Sequence, residues 1–143
     1  MTPGAEKPIP AVTAELRPFF EAARDGRLVV QRCRACGERR FPPRDICSHC
    51  LGREADWVTS SGRGKIVTWN VMHQVYHPGF AEEAPYAVVL VELDDGARLI
   101  SNVVDCPPGR LDVGLPVEVT FEKLSDEVSL PKFRLALRQA LDA

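Results

Sequence analysis

Long hydrophobic runs are missing from this sequence: the longest aliphatic stretch, AVVLV at 87–91, is far too short to cross a bilayer. The opening segment, MTPGAEKPIPAV, is Pro-rich and mixed in charge, with no apolar run of signal-peptide length. A cytoplasmic protein without membrane association is therefore expected. Histidine is scarce, with only His49, His73 and His77, and no GxSxG, HExxH or P-loop pattern occurs. No internal repeat or low-complexity tract is present. What remains is ordinary for a globular chain: 143 residues, 45% apolar and 27% charged, enough for one compact unit or two very small ones sharing a surface.

Four of the five cysteines fall in one stretch, CRACGERRFPPRDICSHC at 33–50, spaced C-x2-C-x10-C-x2-C. In a reducing compartment, paired cysteines at this spacing favour metal ligation over disulfides. Each CxxC turn places two sulfurs at adjacent corners of a tetrahedron, so Cys33, Cys36, Cys47 and Cys50 make a closed four-thiolate site. Zinc is the default metal, and iron in a rubredoxin-type site is its competitor. A site of three cysteines with His49 is a further alternative. A closed site leaves no position for water or substrate, so the metal is structural. Cys106, alone in DCPPG, is an ordinary buried or loop residue.

The net charge of −2 conceals an asymmetry. Residues 32–53 carry six arginines against Glu38 and Asp45, a net +4, whereas residues 54–143 carry eight Lys/Arg against fourteen Asp/Glu, a net −6. Single-stranded nucleic acid wants a basic groove with exposed aromatics, and the acidic C-terminal part argues against one. That function is kept as the alternative.

Three prolines in the first ten residues oppose regular structure. A short helix follows, with Leu16, Phe19, Phe20 and Ala23 at i, i+3, i+4 and i+7, Pro18 in its first turn and Gly26 as its stop. Its two phenylalanines either cover this chain's own ribbon or dock on another protein. LVVQRC (28–33) reads as a strand entering the first cysteine pair. Five more strands are expected: GKIVTWNVM (64–72), YAVVLVEL (86–93), ARLISNVV (97–104), PVEVTFEK (116–123) and KFRLALR (132–138). The turn DDG (94–96) joins the second and third of these as a hairpin. PVEVTFEK alternates, with Val117, Val119 and Phe121 on one face. Five consecutive strands without a long helix suggest a small closed barrel, the OB-fold, whose usual helix is short or absent within 105–115.

No nucleophile stands out. His73 and His77 flank QVY in the longest connection, HQVYHPGFAEEAPY (73–86), without an orienting carboxylate at predictable spacing. That connection is a plain barrel loop or, being rich in aromatics, a binding surface; it is the first candidate for function.

Taken together, GRLVVQRCRACGERRFPPRDICSHC, SGRGKIVTWNVMH, PYAVVLVELDDGARLISNVV, VGLPVEVTFE and LPKFRLA resemble the zinc-ribbon/OB-fold family of accessory partners of thiolase-like enzymes. The likeness runs from about Phe19 to Ala136. It implies a mostly β chain: an N-terminal tail and helix (1–26), a rubredoxin-like zinc ribbon (27–56) and a five-stranded OB-fold (57–143). It implies Zn2+ on Cys33, Cys36, Cys47 and Cys50. It also implies a hetero-oligomer with a thiolase-like catalytic subunit, or alternatively a MaoC-type hydratase, whose acyl-CoA channel the chain completes without catalysing the reaction. The family's motifs fall on Pro85 and Tyr86 and on Leu130, Pro131, Lys132 and Phe133. Acyl-CoA or partner contacts are accordingly expected at Tyr76, His77, Phe80, Pro85, Tyr86 and Phe133. Arg39 and Arg40 of the basic ribbon are expected to meet the phosphates of coenzyme A.

Overall fold

The protein is described by a computed structural model covering residues 6–136. Among these, one α-helix, a small three-stranded sheet and a five-stranded barrel follow one another along the chain. Residues 137 and 138, the end of the expected last strand, lie outside the described residues.

Helix α1 (Arg17–Arg24) buries Phe19, Phe20, Ala22 and Ala23. Pro18 sits in the first turn, where its missing N–H costs nothing. The helix stops in a Schellman turn: Gly26 donates to the Ala23 carbonyl at 3.0 Å and Arg27 to that of Ala22 at 2.9 Å, with Gly26 at φ +78°. Phe19 meets Phe20 edge to face and lies tilted against Phe41 of the ribbon, with centroids 5.4 and 4.7 Å apart. The two phenylalanines thus cover this chain's own core, each burial contributing about 1.5–3 kcal/mol.

Strand β1 (Val29–Cys33) pairs antiparallel with β2 (Arg39–Arg40) on one side and β3 (Ala55–Thr59) on the other. Leu28, Val29 and Val30 join the core that the barrel also fills. Strand β3 runs across residues 56 and 57 within the ribbon's sheet, then passes through Ser60 into the barrel.

The barrel sheet has the order β6-β5-β4-β7-β8. Its strands are β4 (Arg63–Met72), β5 (Tyr86–Leu93), β6 (Arg98–Asn102), β7 (Pro116–Lys123) and β8 (Ser129–Leu135). Long β4 pairs with β5 from Gly64 to Met72, with a register shift between Ile66 and Thr68, and its first residues also pair with β7. A shift of this kind bends the strand and increases its twist. Closure comes from a parallel bridge between Val103 and Phe133, with Val104 donating to the Phe133 carbonyl at 2.7 Å. Strand β5 buries Ala87, Val89, Val91 and Leu93 and leaves the alternate residues half exposed, as one inward face of a barrel requires. The helix expected within 105–115 is reduced to one 3-10 turn, Pro108–Arg110.

Candidate metal centre and barrel cleft

The Sγ atoms of Cys33, Cys36, Cys47 and Cys50 lie within 4.8 Å of one another. Cys33 and Cys50 approach to 3.6 Å, Cys36 and Cys47 to 3.7 Å. Around a metal with 2.3 Å bonds to sulfur, a tetrahedron has an edge of about 3.8 Å. The donor set therefore fits Zn2+, which when bound cross-links the two cysteine turns.

These turns repeat one another. Gly37 N–H donates to the Cys33 carbonyl and Leu51 N–H to that of Cys47, each at 2.9 Å. Backbone amides also face the sulfurs. The Cys36 N–H, helped by that of Ala35, lowers the Cys33 thiol to about 6 against the opposing effect of burial. The Cys50 and His49 amides lower Cys47 in the same way. Such amides favour the thiolates of Cys33 and Cys47, while burial and the neighbouring sulfurs push Cys36 and Cys50 up. Gly52 lies against the cluster: a Cβ there would stand 3.2 Å from the Cys50 Sγ and 3.3 Å from the Cys33 Sγ. His49 points outward, its Nδ1 3.8 Å from Glu38 Oε2, and lies outside the four-sulfur cluster.

A second site lies on the barrel, where two adjoining cavities of about 400 and 280 Å³ share Phe80, Tyr86, Asn102, Glu122 and Lys132. Phe80 and Tyr86 lie 5.8 Å apart between centroids. Apolar Val88, Leu99, Leu124 and Leu130 extend the larger cavity. A polar cluster crosses it: Lys7 Nζ bonds Glu83 at 2.6 Å and also Glu122, while Lys132 Nζ lies 3.6 Å from Glu122 Oε2 and donates to Asn102 Oδ1. Asn102 in turn donates to the Ala87 carbonyl at 2.7 Å. Burial lowers the Lys132 ammonium despite Glu122 beside it. Burial opposes Glu122 also, yet the bond from Lys7 and the charge of Lys132 hold its carboxyl below the usual range.

The residues singled out in the sequence divide into groups. Phe80 and Tyr86 line both cavities and Pro85 borders the smaller. Tyr76 is 73% exposed on the same loop. His77 is occupied locally, its Nδ1 accepting from Gly79 N–H at 2.9 Å at the start of the 3-10 turn Pro78–Phe80. His73 is exposed near the end of β4.

Two expected contact residues are internal instead. Phe133 is fully buried at the barrel closure, because its period-two position on β8 faces inward. Arg40, expected in a solvated basic patch, is 8% exposed; it donates to Gln31 Oε1 at 3.1 Å and to the Arg44 carbonyl at 2.8 Å. Arg39 is half buried and pairs with Asp95 at 3.3 Å. Lys7, Asn102 and Glu122 carry no local signal, because their partners lie 10 to 115 residues away.

Fold and metal centre together define a protein made of a four-cysteine zinc ribbon and an OB-fold. Residues 20–56 match the family described as the ChsH2 rubredoxin-like zinc ribbon domain, and residues 57–122 match the ChsH2 C-terminal OB-fold domain. The chain belongs to the DUF35 family. It is 37% identical over 101 residues to a DUF35 domain-containing scaffold protein of Methanocaldococcus jannaschii, covering 70% of this chain and 71% of that one. It is 41% identical over 137 residues to a probable enoyl-CoA hydratase alpha subunit of Thermomonospora curvata; the match covers 96% of this chain but spans only 42% of that protein. Among solved structures it is similar to a chain of the Ltp2-ChsH2(DUF35) aldolase, with TM-score 0.79 and 41% identity over 90% of this chain and 99% of that one. No helix among the described residues is long and apolar enough to cross a membrane.

Proposed function

We propose that this chain is a non-catalytic accessory subunit of a thiolase-like complex acting on acyl-CoA in the cytosol, where it helps to form the acyl-CoA channel and stabilises its catalytic partner. The observation that carries this is the match, over nearly the whole of both chains, to the DUF35 chain of an aldolase assembly. The chemistry of the chain agrees. Four thiolates leave a bound zinc no open position, and His77 spends its Nδ1 on a backbone amide.

The cleft under the 73–86 loop supports the same reading. Its apolar wall with a half-buried polar cluster suits the acyl-pantetheine end of coenzyme A, and Tyr76 and Pro85 suit partner contact beside it. A hydratase of the MaoC type is the other partner that this reading admits. Single-stranded nucleic acid is disfavoured by the net −6 of residues 54–143.

The test is a tagged pull-down from the native host with mass spectrometry of the eluate. A thiolase-like or hydratase-like protein at near-equal stoichiometry is expected. Recovery of the chain alone, or with nucleic acid, would overturn the proposal.

A further inference from the structure

Between the ribbon and the β5–β6 turn lies a notch of about 230 Å³ whose charged lining is Arg39, Arg40, Arg44 and Arg98 against the single acid Glu38. Its unusual member is Arg40. The residue is 8% exposed, and among the described residues its guanidinium bonds only neutral acceptors, the Gln31 amide oxygen and the Arg44 carbonyl. It makes no ion pair among the described residues, and its Nη1 has no hydrogen-bond partner there. Buried charges in folded proteins are almost always paired, because removing an ion from water without a counter-ion is costly. An uncompensated cation behind the wall of a cavity therefore gives that cavity a positive potential.

The arginines around it are not equally available. Arg39 is engaged by Asp95, and Arg98 by Glu92 at 3.1 Å. Arg44 is exposed, and its side chain has no carboxylate partner among the described residues. Glu38 faces His49 at 3.8 Å. The notch thus holds fixed positive charge, one free guanidinium and a second held only at the surface, set across two lobes that share a core.

We propose that this notch binds a phosphate group. A phosphate is a compact, highly charged anion with several acceptor oxygens, matched to guanidinium forks. Arg44 and Arg98 make the direct contacts, and Arg40 supplies the buried charge that the anion neutralises. The notch stands on its own geometry; that the phosphate belongs to the nucleotide end of a coenzyme A thioester rests on the function proposed above.

The experiment is calorimetric titration of the zinc-loaded full chain at low salt with two probes, inorganic phosphate and 3′-phosphoadenosine 5′-diphosphate. Saturable binding of at least one probe is expected. The double variant Arg44→Ala/Arg98→Ala, both side chains being exposed, should keep its zinc content and circular dichroism while binding at least about tenfold more weakly. Nucleotide binding about tenfold tighter than that of phosphate assigns the source to the coenzyme, whereas equal affinities assign it to free phosphate; both support the site. No saturable heat from either probe, or unchanged affinity in the double variant, overturns it. Because no partner is present, phosphate binding alongside a failed pull-down would preserve the notch and remove the acyl-CoA reading.

Discussion

Phe133 and Val103 form the parallel bridge that shuts the barrel between β6 and β8, and Phe133 has no exposed surface. Truncating it opens a cavity at the seam where the sheet's two edges meet. Phe133→Ala is expected to cost about 3–5 kcal/mol and Phe133→Leu under about 1.5 kcal/mol. Urea unfolding of the zinc-loaded chain checks both values. Equal midpoints for wild type and Phe133→Ala would contradict the closure.

Glu122 should make stability depend on pH in the acid range. Its carboxyl is held below the usual value in the folded state, so the folded chain gives up this proton more readily than the unfolded one. The stabilisation is complete above the unfolded value, near 4.3, and is lost as pH falls through the lower folded value. Thermal melts across this window should therefore fall with pH in the wild type and less steeply in Glu122→Gln. That variant also leaves Lys132 without its carboxylate, for an expected loss of about 1–3 kcal/mol at neutral pH. A parallel pH profile in variant and wild type would remove Glu122 from this role.

Zinc binding should be inseparable from ribbon folding, since no preformed site survives in the unfolded chain. One equivalent of zinc per colourless chain is expected, and a strong chelator should abolish the ribbon's ordered NMR signals. Gly52→Ala tests the geometry more finely. Its methyl group would press on two sulfurs 3.2 and 3.3 Å away, and zinc affinity is expected to fall at least about tenfold in a competition titration. Red iron-loaded protein from the native host would contradict the zinc assignment.

The N-terminal segment should fasten the functional loop. A Cβ on Gly79 would stand 2.7 Å from the Glu6 carbonyl oxygen and the Lys7 Cα, while Lys7 Nζ sits 5.8 Å from the Phe80 ring centroid and pairs with Glu83. Gly79→Ala and Lys7→Ala should each speed amide exchange across residues 73–86 with little change elsewhere. Unchanged exchange in both would show that the loop holds itself.

Strongly patterned elements were legible before the structure. Strands β5 and β7 begin and end where their apolar patterns do, and the cysteine spacing placed four sulfurs in one cluster. Strand β2 is only two residues long, and β3, ADWVT, has no apolar alternation and no fully buried residue; both pair along the edges of β1. Strand β8 begins at Ser129, before the stretch that reads as a strand, because its antiparallel pairing with β7 runs on to Lys123 and Ser129. Two site features are hidden from the sequence because packing makes them. Arg40 looked like one more solvated arginine until the fold buried it. Glu122 and Lys132 meet across the paired strands β7 and β8, and Lys7 joins them because the N-terminal segment reaches the barrel.

The most direct measurement is acyl-CoA turnover by three preparations: this chain alone, its co-purifying partner alone, and the two mixed at equal stoichiometry. An accessory role predicts no turnover by the chain alone and a rate for the mixture well above that of the partner. It also predicts that metal-stripped chain fails to restore that rate. Turnover by the chain alone, or a partner indifferent to its presence, would contradict the account.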